Sequence, residues 1–295
     1  MTEGRKVAYK SIGLIANPTK PESAKGIKQI VEKLKDYPVK LFTDEETCKL
    51  TKDSCKPYVK VVDRLVLPDK VDVILVLGGD GTFLTVAKLV DKRPVPLLGI
   101  NFGTLGFLTE VSIDEIEESL ERLLNGEFVL ENRPVIRVKV LRENGHVSIY
   151  RCVNEVAIKR DILARIIEIE IEADGKYVTT FRGDGVIVAT PTGSTAYSLS
   201  SGGPILMPTL NAMLLTPICP HTLTLRPLVL EGNVCLSARL KTKDETVMVI
   251  FDGQEGIELR KGDVIEITRS PHDLLILRDP RKSYYQTLRE KLKWG

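Results

Sequence analysis

Histidine is nearly missing from this chain. Three occur in 295 residues, His146, His221 and His272, and no two are spaced as a local metal site such as H-E-x-x-H requires. The five cysteines (Cys48, Cys55, Cys152, Cys219, Cys235) are odd in number, scattered, and contain no C-x-x-C pair. That argues against a structural zinc site and a disulfide framework, and makes a reducing cytosol the simplest setting. No apolar run approaches the roughly 20 residues that span a bilayer. The opening MTEGRKVAYK lacks the apolar core of a signal peptide. Charge of one sign is also scarce: the net charge is +2, with no basic stripe of the kind that nucleic-acid binders carry. With so little imidazole, carboxylates are the better candidates for any chemistry.

What is present can fold well. At 43% hydrophobic the chain can bury real cores, and its length suits about two domains. Glycine and proline are near globular averages, so wholesale disorder is not expected. The first part alternates strand and helix. VAYKSIGLIANP reads as a strand ending at Asn17-Pro18, and SAKGIKQIVEKLKDY places Ile27, Ile30, Val31 and Leu34 at helical spacing. VKLFTDE is a short strand, residues 46–70 are polar and resist assignment, and Val73–Leu77 is apolar on consecutive positions, as a strand covered on both faces would be. A helix over 83–89 and the strand PLLGIN follow. This alternation predicts a mostly parallel, Rossmann-like sheet with helices on its faces. Ser112-Ile113-Asp114-Glu115 fits a capping box, with Ile116, Leu120, Leu123 and Leu124 on one face and Asn125-Gly126 as the stop.

After about residue 128 the texture changes to short runs with period-two alternation, among them RIIEIEIEAD, KYVTTFRG and GVIVATP. Asn144-Gly145 and Asp174-Gly175 sit between such runs as hairpin turns. This half is expected to be antiparallel β, sandwich-like. The final SYYQTLREKLKW reads as a helix with Tyr284, Tyr285, Leu288 and Leu292 on one side. The expected organisation is an α/β domain over 1–127, completed by the helix at 280–295, and an all-β domain over 128–279.

Three segments carry candidate chemistry. The first, Gly78-Gly79-Asp80-Gly81-Thr82, follows the apolar strand and precedes a helix. Glycines let backbone amides approach an anion, and a helix start favours one. The loop matches neither G-x-x-x-x-G-K-[ST] nor G-x-G-x-x-G. Asp80 would be repelled by phosphate unless a cation or a substrate hydroxyl stands between, as in phosphoryl transfer. The other reading is a tight turn with Asp80 as helix N-cap. The second segment, DGVIVATPTGSTAYSLSSGGPI (184–205), is rich in small and hydroxyl residues that suit a nucleotide lying against backbone. Such runs are also often plain loops. The third, Asn154-Glu155, interrupts an apolar run. An amide beside a carboxylate can bond ribose hydroxyls, or the pair can be one exposed face of an edge strand.

Taken together and in this order, GGDGT, NE, TPTGSTAYSLS with GGP after it, and DGQ at 252–254 resemble the NAD kinase family in its bacterial form. The resemblance spans nearly the whole chain. It implies that ATP phosphorylates the 2′-hydroxyl of the adenosine ribose of NAD, giving NADP and ADP, with a divalent metal, magnesium, carried by ATP. It implies Asp80 as general base, with Gly78, Gly79, Gly81 and Thr82 lining the nucleotide phosphates. Asp80, Gly81, Asn154 and Glu155 are implied contacts of NAD, with Arg165, Arg182 and Asp184 towards its diphosphate or nicotinamide side. Thr195, Ala196, Tyr197, Ser198, Leu199 and Ser200 would line the adenosine site, and Gln254 is a further contact. Glu155 stands where the family often has Asp, and Arg182 where lysine is common, which alters its geometry. The resemblance further implies an α/β plus β fold, a homodimer or homotetramer, and NADP(H) as product or feedback ligand, with no nucleic-acid or membrane partner. Two rival readings fit parts of the pattern. A GGDGT lipid or sphingoid kinase would need a way to meet lipid, and no basic amphipathic helix serves. A catalytically silent NAD sensor is not favoured while Asp80 is present.

Overall fold

A computed structural model describes residues 7–91, 93–103, 105–161, 165–242 and 246–294. Residues 1–6 of the opening MTEGRKVAYK, and Gly295 after the last helix, lie outside the described residues. The chain divides into two compact units, Met1–Asn132 with Leu274–Gly295, and Arg133–Asp273.

The first unit is built on strands β1 (Ser11–Ala16), β2 (Lys40–Thr43), β3 (Val59–Val61), β4 (Val73–Leu77), β5 (Leu97–Asn101), β6 (Val111–Ser112) and β7 (Val129–Arg133). Their order is β3-β2-β1-β4-β5, followed by the C-terminal strand Leu274–Arg278 and β7, with β6 beside β5. The β1, β2, β3, β4 and β5 pairs are parallel. Chain order reverses between β1 and β4, and ligands of such sheets bind beyond the strand ends at that point. All five residues of β4 are buried, as a central parallel strand requires.

Helix α1 (Glu22–Leu34) buries Ile27, Ile30, Val31 and Leu34 on the predicted face. Each such side chain contributes about 1.5–3 kcal/mol when removed from water. The polar stretch that resisted assignment holds helix α2 (Glu45–Leu50) and β3. It lacked a periodic signal because both elements are short. Asp44 caps α2 by accepting from Thr47 N at 2.7 Å. Helix α3 (Asp80–Ala87) starts three residues earlier than the apolar pattern suggested.

The capping box at 112–115 does not form as expected. A 3₁₀ turn over Ile113–Glu115 precedes helix α4 (Ile116–Leu124), and Ser112 Oγ accepts from Asp114 N, not from Glu115 N. Glu115 bonds Lys282 at 2.8 Å instead of reaching back. A distant lysine thus outcompetes the local amide.

That second unit is a sandwich of two six-stranded antiparallel sheets. Its strands are β8 (Ile136–Leu141), β9 (Val147–Cys152), β10 (Glu155–Arg160), β11 (Ile167–Ala173), β12 (Lys176–Gly183), β13 (Gly185–Ala189), β14 (Ala212–Ile218), β15 (Leu228–Glu231), β16 (Leu236–Leu240), β17 (Val247–Phe251), β18 (Glu255–Leu259) and β19 (Val264–Arg269). One sheet runs β15-β14-β13-β10-β17-β18 and the other β12-β11-β16-β19-β8-β9. Alternate residues such as Val156, Ile158, Val186, Val188, Ile169 and Ile267 fill the space between the sheets. Their period of two is the pattern legible in the sequence. Both predicted hairpin turns are present, with Gly145 and Asp174-Gly175 at positive φ. The outer face of the first sheet carries a smaller apolar layer, Ala157, Ile187, Ala189, Leu214 and Ile218. The short helix α5 (Tyr197–Ser200) follows β13 and leads back towards β14.

Helix α6 (Tyr284–Leu292) belongs to the first unit. It buries Thr287 and Leu288, whereas Tyr285 is exposed, so the predicted aromatic face is only partly used. The segment before α6 is held by ions. Arg122 bonds both oxygens of Asp279, at 2.6 and 3.0 Å, and Arg281 adds a bond at 2.9 Å. Burial raises the Asp279 carboxyl, yet the two guanidinium groups outweigh it and hold the acid well below the usual carboxylate range. Arg278 pairs with buried Glu110 nearby.

Candidate functional site

The geometry falls into two parts, one on each unit. In the first unit, Gly78 continues from β4 and donates to Ile100 O at 2.8 Å. Gly79 is the cap residue of α3, extended and without a side-chain bond, and Asp80 is the first helical residue. Asp80 therefore does not cap its own helix. Its carboxylate points to the chain beyond β5. Phe107 N donates to Oδ2 at 2.9 Å and Leu108 N to Oδ1 at 3.0 Å. Thr82 Oγ1 accepts from Asn17 Nδ2 at 3.0 Å, which ties the loop to the end of β1. Thr85 Oγ1 donates to Gly81 O at 3.1 Å, while Gly79 and Gly81 remain exposed. The loop thus sits at the reversal of strand order, with exposed glycines at a helix start.

In the second unit, Asn154-Glu155 opens β10, a central strand flanked by β13 and β17. The edge-strand reading is therefore corrected, and Glu155 is only 5% exposed. Asp252 organises the pair: its carboxylate accepts from Val153 N at 2.9 Å, Asn154 N at 2.7 Å and Glu155 N at 3.1 Å. The Asp252-Gly253 turn has both residues at positive φ, as a tight hairpin turn needs. Gln254 follows it, exposed, with its N–H donating to Phe251 O.

The Thr190–Ser200 segment closes on the same place. Thr190 N donates to Asn154 O at 2.8 Å, and Thr190 Oγ1 donates to Val153 O at 2.6 Å. Gly193 lies so close that a Cβ there would stand 2.7 Å from Asn154 Cα and overlap its carbonyl. Gly193→Ala is expected to destabilise the protein by about 1–3 kcal/mol, the usual cost of overpacking. Urea denaturation checks this, and an unchanged midpoint would show that the two segments are not packed together.

Glu155 Oε2 is buried with no hydrogen-bond partner. Burial first, then the charge of Asp252, push the Glu155 carboxyl up to about 8. A buried acceptor left open costs about 1–3 kcal/mol and is suited to a hydroxyl donor.

The other residues singled out by sequence are placed as follows. Ser198 is fully buried, its Oγ 2.8 Å from Thr216 Oγ1, whereas Thr195, Ala196 and Leu199 are half-buried and Tyr197 and Ser200 exposed. Asp184 accepts from Arg160 Nε at 2.6 Å. Arg182 is exposed and pairs with Glu168 at 2.9 Å across β11 and β12, on the other sheet. Arg165 is exposed just before β11. Residues passed over by sequence reasoning are Asn17 and Gly106–Leu108. The stretch FGTLGFL was a second glycine-containing loop after a parallel strand, the same signal that marked GGDGT.

Among the described residues, no three His, Cys, Asp or Glu side chains converge as a metal cage. No helix among the described residues is long and apolar enough to cross a membrane.

Comparison with known proteins accords with these two halves. The model of the ATP-NAD kinase N-terminal domain matches residues 12–128, and that of the ATP-NAD kinase C-terminal domain matches residues 153–278. The NAD kinase of Syntrophotalea carbinolica is 41% identical over 286 residues, 97% of this chain and 99% of that one. Among solved structures, yeast NADH kinase complexed with NADH superposes with a TM-score of 0.90 at 24% identity, over 97% of this chain and 88% of that one, a likeness of fold. An NAD kinase from Archaeoglobus fulgidus in complex with ATP gives 0.74 at 25% identity, over 97% and 100% of the two chains. With both domain models matched and a relative of this identity along its full length, the chain belongs to the NAD kinase family.

Proposed function

We propose that Asp80 is the general base of this NAD kinase. The enzyme transfers the γ-phosphate of ATP to the 2′-hydroxyl of the adenosine ribose of NAD, giving NADP and ADP. The observation that carries the Asp80 assignment is its carboxylate, turned away from its own helix and held on the Phe107 and Leu108 amides. Each oxygen keeps one acceptor site free, enough to take a hydroxyl hydrogen bond and then its proton as the O–P bond forms.

The backbone of Gly79, Gly81 and Thr82 at the helix start receives the phosphates, with the two glycines exposed. Glu155 Oε2 and the Asn154 side chain receive hydroxyls of NAD, Thr195–Ser200 lie along its adenosine, and Gln254 adds a contact. Arg165, Arg182 and Asp184 serve the diphosphate or nicotinamide side. A divalent cation on ATP, when bound, offsets the repulsion between its phosphates and Asp80. In this reading the unit of residues 1–132 with 274–295, slightly wider than the expected 1–127 with 280–295, carries the GGDGT loop, and the unit 133–273 binds NAD. The enzyme works in the cytoplasm as a homodimer or homotetramer, with NADP(H) as product and feedback ligand. Neither the lipid-kinase nor the sensor alternative finds support among the relatives.

The test is direct. The purified protein with ATP, magnesium and NAD is expected to yield NADP, with parallel arms offering polyphosphate as donor and NADH as acceptor. NAD binding with no NADP formed in any arm would overturn the kinase reading.

A further inference from the structure

We infer that Gly106, with the turn it begins, is a positioning residue that sets the Asp80 carboxylate for proton acceptance. The inference rests on the reading of Asp80 as general base.

The turn offers two consecutive N–H groups, Phe107 to Oδ2 at 2.9 Å and Leu108 to Oδ1 at 3.0 Å. Both carboxylate oxygens are thereby held, so the group can neither rotate about its last bond nor swing towards the phosphates without breaking two charge-assisted bonds. Such a cradle needs the carboxylate to lie flat against backbone. At Gly106 a side chain forbids this: a Cβ would overlap Asp80 Oδ1 and stand 2.7 Å from Asp80 Cγ. The turn is itself fixed from below. Gly106 N donates to Thr109 Oγ1 at 2.9 Å, Thr109 is 1% exposed, and Glu110 N donates to Gly99 O of β5 at 2.9 Å. The central sheet therefore dictates where the two amides point, and the amides dictate where Asp80 points. Misplacing a reacting group by about an ångström can cost on the order of 10²-fold in rate.

The experiment uses the full-length enzyme with NAD, ATP and magnesium. Gly106→Ala is expected to lower kcat by about 10²-fold with KM for NAD and ATP within about threefold, because the base moves while the substrates still bind. Thr109→Val, which frees Gly106 N, is expected to lower kcat by about tenfold, and Thr109→Ser to restore it. Thermal melts and NAD binding by calorimetry accompany each variant. In an Asp80→Asn background, Gly106→Ala is expected to remove little more, since a positioned group is no longer there to misplace.

Two results overturn the inference alone: Gly106→Ala keeping kcat within about threefold, or losing the same factor in both the Asp80 and the Asp80→Asn backgrounds. Should Gly106→Ala fail to fold, Thr109→Val decides, and unchanged kcat there overturns it. Full turnover by Asp80→Asn removes the base reading itself, and the inference with it.

Discussion

Asp80→Asn is expected to lower turnover by about 10²- to 10⁴-fold, the usual contribution of a general base, with NAD still bound. An amide has no site that takes a proton from an alcohol at neutral pH, whereas a carboxylate has one free on each oxygen here. The substitution has a second, smaller consequence. Phe107 and Leu108 present two N–H donors, and asparagine offers only one acceptor oxygen. Its Nδ2 must face the other donor, so one of the two charge-assisted bonds is lost, at about 1.5–3 kcal/mol of stability. Stopped-time NADP assays give the first number, calorimetry with NAD the second, and thermal melts the third. Turnover near normal would end the base assignment. Collapse of NAD affinity along with turnover would instead make Asp80 a binding residue.

Glu155→Gln is expected to separate two effects that the wild-type protein combines. The Glu155 carboxyl is pushed from 4.5 to about 8 by burial and then by Asp252. Below pH 4.5 it is protonated whether the chain is folded or not. Between 4.5 and about 8 the folded chain holds a proton that the unfolded chain releases, so stability falls steadily as pH rises through that window. The loss amounts to a few kcal/mol once the buried group must ionise. Glutamine does not titrate. The melting temperatures of the two proteins should therefore nearly coincide at pH 5, and the variant should be the more stable at pH 9. Parallel pH dependence in both would show that another group is responsible.

Binding should move the opposite way. NAD offers hydroxyl donors to the open Oε2, and a hydrogen bond to the ionised carboxylate, about half populated at pH 8, is worth about 1.5–3 kcal/mol. Glutamine replaces one of the two carboxylate oxygens with an N–H₂ donor, so NAD affinity is expected to fall by about tenfold or more. Calorimetry at pH 8 checks this. Unchanged affinity would remove Glu155 from the NAD site.

Neither effect could be read from the letters Asn154-Glu155. An isolated pair of polar residues in an apolar run has a surface explanation, and the edge strand was the simpler one. Only the sheet order showed β10 between two neighbours, with Glu155 buried. The same holds for Asp80. GGDGT announced a strand-to-helix turn with an acid in it, but its amide partners lie 27 and 28 residues further on, behind an unremarked glycine. Local pattern also misled at 112–115, where Lys282, far along the chain, takes the glutamate that a capping box would have used.

The sequence by itself determined the class of both units and the register of their cores. Consecutive apolar residues mark buried parallel strands, a period of two marks sandwich strands, and spacings of three and four mark the helices packed on them. These are local, repeating consequences of backbone geometry, so a single chain displays them. Through the order of its motifs it also pointed to phosphorylation of NAD. Tertiary structure alone decided how the chemistry-bearing groups are held: Asp80 on the Phe107 and Leu108 amides, and Glu155 buried beside Asp252 with its Oε2 unbonded. Orientation and burial of a side chain depend on atoms tens of residues away, whose approach is set by sheet order and close packing rather than by any spacing in the chain.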